Sequence, residues 1–172
     1  MSKYIVKAQD FEHRFKKLLI GKYDWKLREI WGFSQEDIEA VEKKYGLSLP
    51  LSYKVFLSYF GNVPKSFLLD FDMGDEHPLE MTEFFYEQLT ITEGEYIPPT
   101  NVPPNMFVFA SYLYEHFYFF FLDDPSDDPA IYLANTSQGG GKPFEFKKIG
   151  ESVWDFLEEG ITNYENRKTR AT

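Results

Sequence analysis

The sequence predicts an α+β fold: N-terminal helices packed on an antiparallel β-sheet, closed by a C-terminal helix. Three features lead there. Residues 34–62 carry helical periodicity with stop and start signals at both ends. Between residues 106 and 134, three apolar runs alternate with turn residues, the pattern of a meander. A Ser-x-x-Asp cap at Ser152 and Asp155 then opens one more amphipathic segment.

In chain order, residues 1–8 are expected as an N-terminal arm. Phe11, Phe15, Leu18 and Leu19 recur at helical spacing, with Asp10 as the cap. Trp25, Ile30 and Trp31 follow in a connecting segment. Ser34 caps the next helix, with Asp37 completing a carboxylate capping box. Ile38, Val41 and Tyr45 share one face, and Gly46 follows at the position of a left-handed cap. Pro50 suits the first turn of a second helix, where its missing N–H is not needed. Tyr53, Phe56, Leu57 and Phe60 form that helix's apolar face, and Gly61-Asn62 stops it.

Residues 66–72, SFLLDFD, are expected as a strand, and MGDEHP as a turn. Residues 79–92 fit neither period cleanly. The four prolines of residues 97–105 make a loop, since proline cannot sit in a central strand. Strands are expected at 106–113, 116–123 and 130–134, separated by Tyr114-Glu115 and DDPSDDP. SQGGGKP is a flexible turn before a short strand, FEFKK. Residues 163–172 are expected as a polar, frayed tail.

At 172 residues, 43% apolar and 19% aromatic, the chain is expected to form one domain, residues 1–172, with a real core. It has no cysteine, which excludes disulfides, thiolate catalysis and cysteine zinc sites. The first residues hold no apolar run of signal-peptide length, and no stretch approaches the ~20 apolar residues of a membrane span. A cytoplasmic protein with no membrane partner is the expectation.

Charge is uneven. From Ser66 to Gly141 there is no Lys or Arg, and that segment carries −14, whereas residues 1–65 carry +4 and residues 142–172 are neutral. Acidic loops can simply keep a Phe-rich domain soluble. They can also steer a basic protein partner. Direct nucleic-acid binding is disfavoured, because it needs Lys and Arg facing phosphates.

Motifs for chemistry are weak. DDPSDDP, residues 123–129, clusters four carboxylates but lacks the glycine and closing glutamate of a calcium loop. GGGK at 139–142 fails as a phosphate loop, since Thr136 stands where the first glycine belongs and Pro143 where Ser or Thr holds magnesium. His13, His77 and His116 show no ligand or base spacing. No catalytic residue, metal or cofactor is expected, and the chain is expected to act without turnover; an enzyme using a pair among its many carboxylates is the least favoured alternative.

The stretch IEAVEKKYG, LSLP and LPLSYKVFL, residues 38–57, followed by Gly61-Asn62, resembles the hallmark of the SUKH superfamily. That hallmark is an apolar-x-x-apolar-Glu helix, a glycine, then Leu-Pro-x-x-Tyr-x-x-Phe-Leu and a terminating Asn-Gly, here inverted. The apolar runs from Asn105 to Asn135 and the ESVWDFLEEGI segment are similar to the family's meander and closing helix, so the resemblance spans roughly Trp31–Ile161. It implies a bacterial immunity protein that neutralises a cognate toxin, often a nuclease, by occlusion. A fungal branch, the Smi/Knr regulators of cell-wall synthesis, implies the alternative of a regulatory interaction module. The matching residues are fold residues, and no site comes with them. From charge and aromatic content, the partner-binding candidates are Asp70, Asp72, Asp75, Glu76, Tyr112, Tyr114, Tyr118, Asp123, Asp124, Asp127 and Asp128.

Overall fold

The helical and strand periods of the sequence appear as five helices and five strands among the residues described by a computed structural model, 1–20, 32–60, 71–72, 80–90 and 97–170. In order they are α1 (Lys3–Ile20), α2 (Gln35–Tyr45), α3 (Leu51–Phe60), β1 (Phe71–Asp72), α4 (Glu80–Thr90), β2 (Met106–Tyr112), β3 (His116–Phe121), β4 (Ile131–Asn135), β5 (Phe146–Gly150) and α5 (Val153–Arg170). The class is α+β, with an antiparallel sheet followed by a C-terminal helix. By internal packing the chain divides into two compact units. One holds Met1–Pro64, Ser126–Asp128 and Ser152–Thr172; the other holds Lys65–Pro125 and Pro129–Glu151.

The first unit is helical. The expected arm at residues 1–8 is instead the start of α1. Tyr4 and Ala8 continue the stripe of Phe11 and Phe15 at helical spacing, and all four are buried. Ser2 supplies the cap, its hydroxyl accepting the Tyr4 N–H at 3.3 Å, so Asp10 lies mid-helix and caps nothing. Ser34 and Asp37 form both bonds of the capping box at the start of α2, each at 3.1 Å. Gly46 ends α2 at φ 64°, and a β-carbon added there would meet open space. Backbone conformation, not crowding, is what selects glycine there. Pro50 lies one residue outside α3, its carbonyl accepting the Lys54 N–H at 3.0 Å.

Tyr53, Phe56, Leu57 and Phe60 are all buried on one face of α3. Phe60 meets Phe11 edge-on at 4.8 Å between centroids, and Phe11 meets Trp154 of α5 at 6.1 Å. Val153, Leu157 and Ile161 complete the buried stripe of α5. The expected polar tail at 163–172 continues as helix to Arg170, because no glycine or proline interrupts it after Gly160. Gly32, which the sequence did not single out, passes so close to α3 that a β-carbon would lie 1.8 Å from the Ser58 carbonyl oxygen. The neighbouring Phe33 N–H donates to the Leu57 carbonyl at 2.9 Å.

The second unit is the sheet, in the order β1-β2-β3-β4-β5 with every pair antiparallel. The strand expected at 66–72 is seen at Phe71–Asp72; residues 66–70 lie outside the described residues. Trp25, Ile30, Trp31 and Gly61-Asn62 also lie outside them. A bulge between Val108 and Ala110 shifts the side-chain alternation of β2. Ahead of the bulge, Met106 and Val108 alternate onto one face with Phe117, Phe119 and Ala134, against which α4 places Met81, Phe85 and Leu89.

The ambiguous residues 79–92 thus contain a helix, and its polar side chains explain why it fits there. The Thr82 hydroxyl accepts the Val108 N–H at 2.9 Å and donates to the Val108 carbonyl at 3.0 Å. One turn on, the Tyr86 hydroxyl accepts the Met106 N–H at 3.3 Å and donates to the Pro103 carbonyl at 2.5 Å. Among the described residues β1 pairs with Ser111 and Tyr112, and these two hydroxyls satisfy backbone groups elsewhere on β2.

Two outcomes test the helical core. Leu57→Ala should lower unfolding stability by about 2–5 kcal/mol in urea titration, and Ser58→Ala, at an exposed position, by under about 0.5 kcal/mol. Burial pushes the Tyr53 phenol well above its ordinary value. In the unfolded chain a phenol ionises near pH ~10, so there the unfolded state loses its proton first and stability falls as pH rises further. Tyr53→Phe should lessen that alkaline loss, measured as Tm against pH.

Candidate partner-binding surface

The acidic DDPSDDP segment is not a uniform solvated tip. Helix α3 begins after a proline and has no acidic residue in its first turn, so its leading N–H groups need an outside acceptor. The Asp127 carbonyl provides one, accepting the Ser52 N–H at 2.8 Å. The next residue serves α5: Asp128 Oδ1 accepts the Trp154 N–H at 3.4 Å, beside the Ser152 hydroxyl, which accepts the Asp155 N–H at 3.0 Å. Ser126 Oγ fixes the turn by accepting the Asp128 N–H at 3.1 Å. Asp128 is half-buried accordingly, whereas the side chains of Asp123 and Asp127 are exposed and Asp124 is half-buried. Asp128 is thus not an exposed loop position, and its carboxylate stands at the positive end of a helix.

The tyrosines lie at and near the β2–β3 hairpin. Tyr112 and Tyr118 are half-buried on one face of the sheet, with His116 between them across the register. Burial raises the Tyr118 phenol above its usual value, and the neighbouring Tyr112 adds to this. Tyr114 is 48% exposed at the tip and rests edge-on against Phe84 of α4, with centroids 5.5 Å apart. Beside it stands Leu113, 67% exposed, which charge and aromatic content gave no reason to choose. Of the remaining candidates, Asp72 lies opposite Ser111 in β1, and Asp70, Asp75 and Glu76 lie outside the described residues.

Among the described residues no three His, Asp or Glu side chains group as a cation site. Ser111 and His116 occupy neighbouring strands, but their register puts them on opposite faces, so they do not form a nucleophile–base pair. The described helices include none long and apolar enough to cross a membrane.

The model of the SMI1 / KNR4 family (SUKH-1) matches residues 32–159, about three-quarters of the chain. The chain belongs to that family. No curated protein is significantly similar to it. The SUKH hallmark can now be read as structure. Its glutamate, Glu42, accepts the Leu49 N–H at 2.7 Å and the Lys54 ammonium at 2.9 Å, tying the α2–α3 connection to both helices. The Glu42 carbonyl also accepts the N–H groups of Gly46 and Leu47 at the end of α2. The Leu-Pro-x-x-Tyr-x-x-Phe-Leu residues Leu49, Tyr53, Phe56 and Leu57 are buried. These SUKH positions therefore build the helix pair.

If Asp128 caps α5, Asp128→Ala should lower stability by about 0.5–2 kcal/mol in urea titration. Asp123→Ala should change it by under about 0.5 kcal/mol. Equal, negligible effects would mean that Ser152 alone serves the helix end.

Proposed function

We propose that this SUKH protein neutralises a cognate bacterial toxin by binding it and covering its working surface. Family membership carries this reading, since the resemblance implies toxin immunity for bacterial members. The charge distribution refines it. A segment of −14 without a single cation suits a basic toxin domain, and a nuclease cleft that holds phosphates is basic by necessity. The protein acts by occupancy alone, from the cytoplasm, without cofactor or turnover. The second reading, a regulatory module with an endogenous partner, follows the branch after which the matched family is named.

The test is co-expression with toxin domains encoded beside this protein. Growth should be rescued, and a stoichiometric complex should be isolated. Toxin recovered from that complex by denaturation and refolding should be active and unchanged in mass. A covalent change found only with this protein would replace occlusion with catalysis, and an endogenous cell-wall protein as partner would favour the second reading. Asp123→Asn with Asp127→Asn should slow association at low ionic strength and flatten its salt dependence, while the fold is retained. Stopped-flow rates that are unchanged would leave these carboxylates a role in solubility only.

A further inference from the structure

The hairpin joining β2 and β3 carries the wrong residues for its backbone. The Glu115 N–H donates to the Tyr112 carbonyl at 3.2 Å, closing a turn whose central residues are Leu113 and Tyr114. Their φ angles are 54° and 55°. Positive φ at both central positions is the requirement of a type I′ turn, which strongly prefers Asn-Gly. A γ-branched and an aromatic side chain are strained there, because the β-carbon crowds the following carbonyl. Burial does not compensate at Leu113, which is 67% exposed. Two large apolar groups are thus held outward on a strained, hydrogen-bonded tip. Strain of this kind concentrates at ligand clamps and binding loops.

We propose that Leu113 and Tyr114 form the anchor that this protein inserts into an apolar pocket on its protein partner, a pocket rimmed by Lys or Arg. The charge around the tip selects that rim. Glu115 adjoins it in sequence, and Glu83 adjoins Phe84, on which the Tyr114 ring rests; both glutamates are exposed. The nearest lysines in the sheet, Lys147 and Lys148, lie on β5, with β4 between them and β3. Tyr114, already seated against Phe84, is ordered before binding, which lowers the entropy cost of using it. The proposal rests on the reading that the protein works by binding another protein, and it names the part that enters the partner.

The test needs no knowledge of that partner. Leu113→Asn leaves Tyr114 on Phe84 and places a residue tolerant of positive φ at the apex. Leu113→Asn with Tyr114→Gly gives the preferred turn. A strained tip kept for binding predicts that the single variant melts no lower than the parent, and the double variant about 2–4 °C higher. A clear fall in Tm for the single variant would make Leu113 a structural residue and overturn the proposal. In parallel, a phage-displayed random dodecapeptide library is panned on the full chain. Enriched peptides should pair a bulky apolar residue with Lys or Arg and bind Leu113→Asn about tenfold more weakly or worse. Failure to enrich any peptide, or peptides that bind both proteins equally, would overturn it. Either result is separable from toxin rescue, which can fail with this anchor intact.

Discussion

The first N–H groups of α3 face a chain with nothing local to offer them, and the helical unit depends on how that need is met. Pro50 precedes the helix and has no capping side chain, yet the packing of Phe56 and Phe60 requires the helix to start there. The acceptor comes from Asp127, 75 positions away, and the adjacent Asp128 serves the start of α5. A three-residue segment embedded in the sheet portion of the sequence therefore belongs to the helical unit. Two helices that share the Phe11–Phe60–Trp154 cluster are fixed at their N-termini by neighbouring residues of one turn. A solubilising acidic loop would need none of this geometry.

What could be read from sequence was what is decided locally. The Ser34 capping box, the Gly46 stop, the face of α3 and the meander were legible because each rests on residues within a few positions of one another. Asp128 was legible as a charge but not as a cap, since its partner lies 26 residues on. Helix α4 was obscured because the adjacent aromatics Phe84, Phe85 and Tyr86 blur both periods, while its fit is decided by hydroxyls reaching a strand in another part of the sequence. The start of α1 was missed because Tyr4 and Ala8 are a thin apolar signal until Phe11 and Phe15 are placed above them. The hairpin tip was seen as a separator, but its Leu-Tyr sequence gave no warning of positive φ, which Asn-Gly would have announced.

The SUKH match and the charge count act on different parts of the problem. The matching residues explain why the helices form and meet: Glu42 secures a connection and Tyr53, Phe56 and Leu57 fill a core. Folding also draws on Ser126, Asp127 and Asp128 of the acidic loop, whereas Asp123 and Leu113 are exposed.

The division of the chain into units also sets an order on its biosynthesis. The helical unit draws on both the first 64 residues and the last 21, whereas the sheet unit lies wholly between them. On a translating ribosome, all five strands and α4 have been made before Trp154 exists to meet Phe11. The nascent α1 and α3 must therefore carry an apolar surface uncovered while roughly half of the protein is synthesised. During that interval the uncovered apolar surface is open to misassociation, the hazard that chaperones answer.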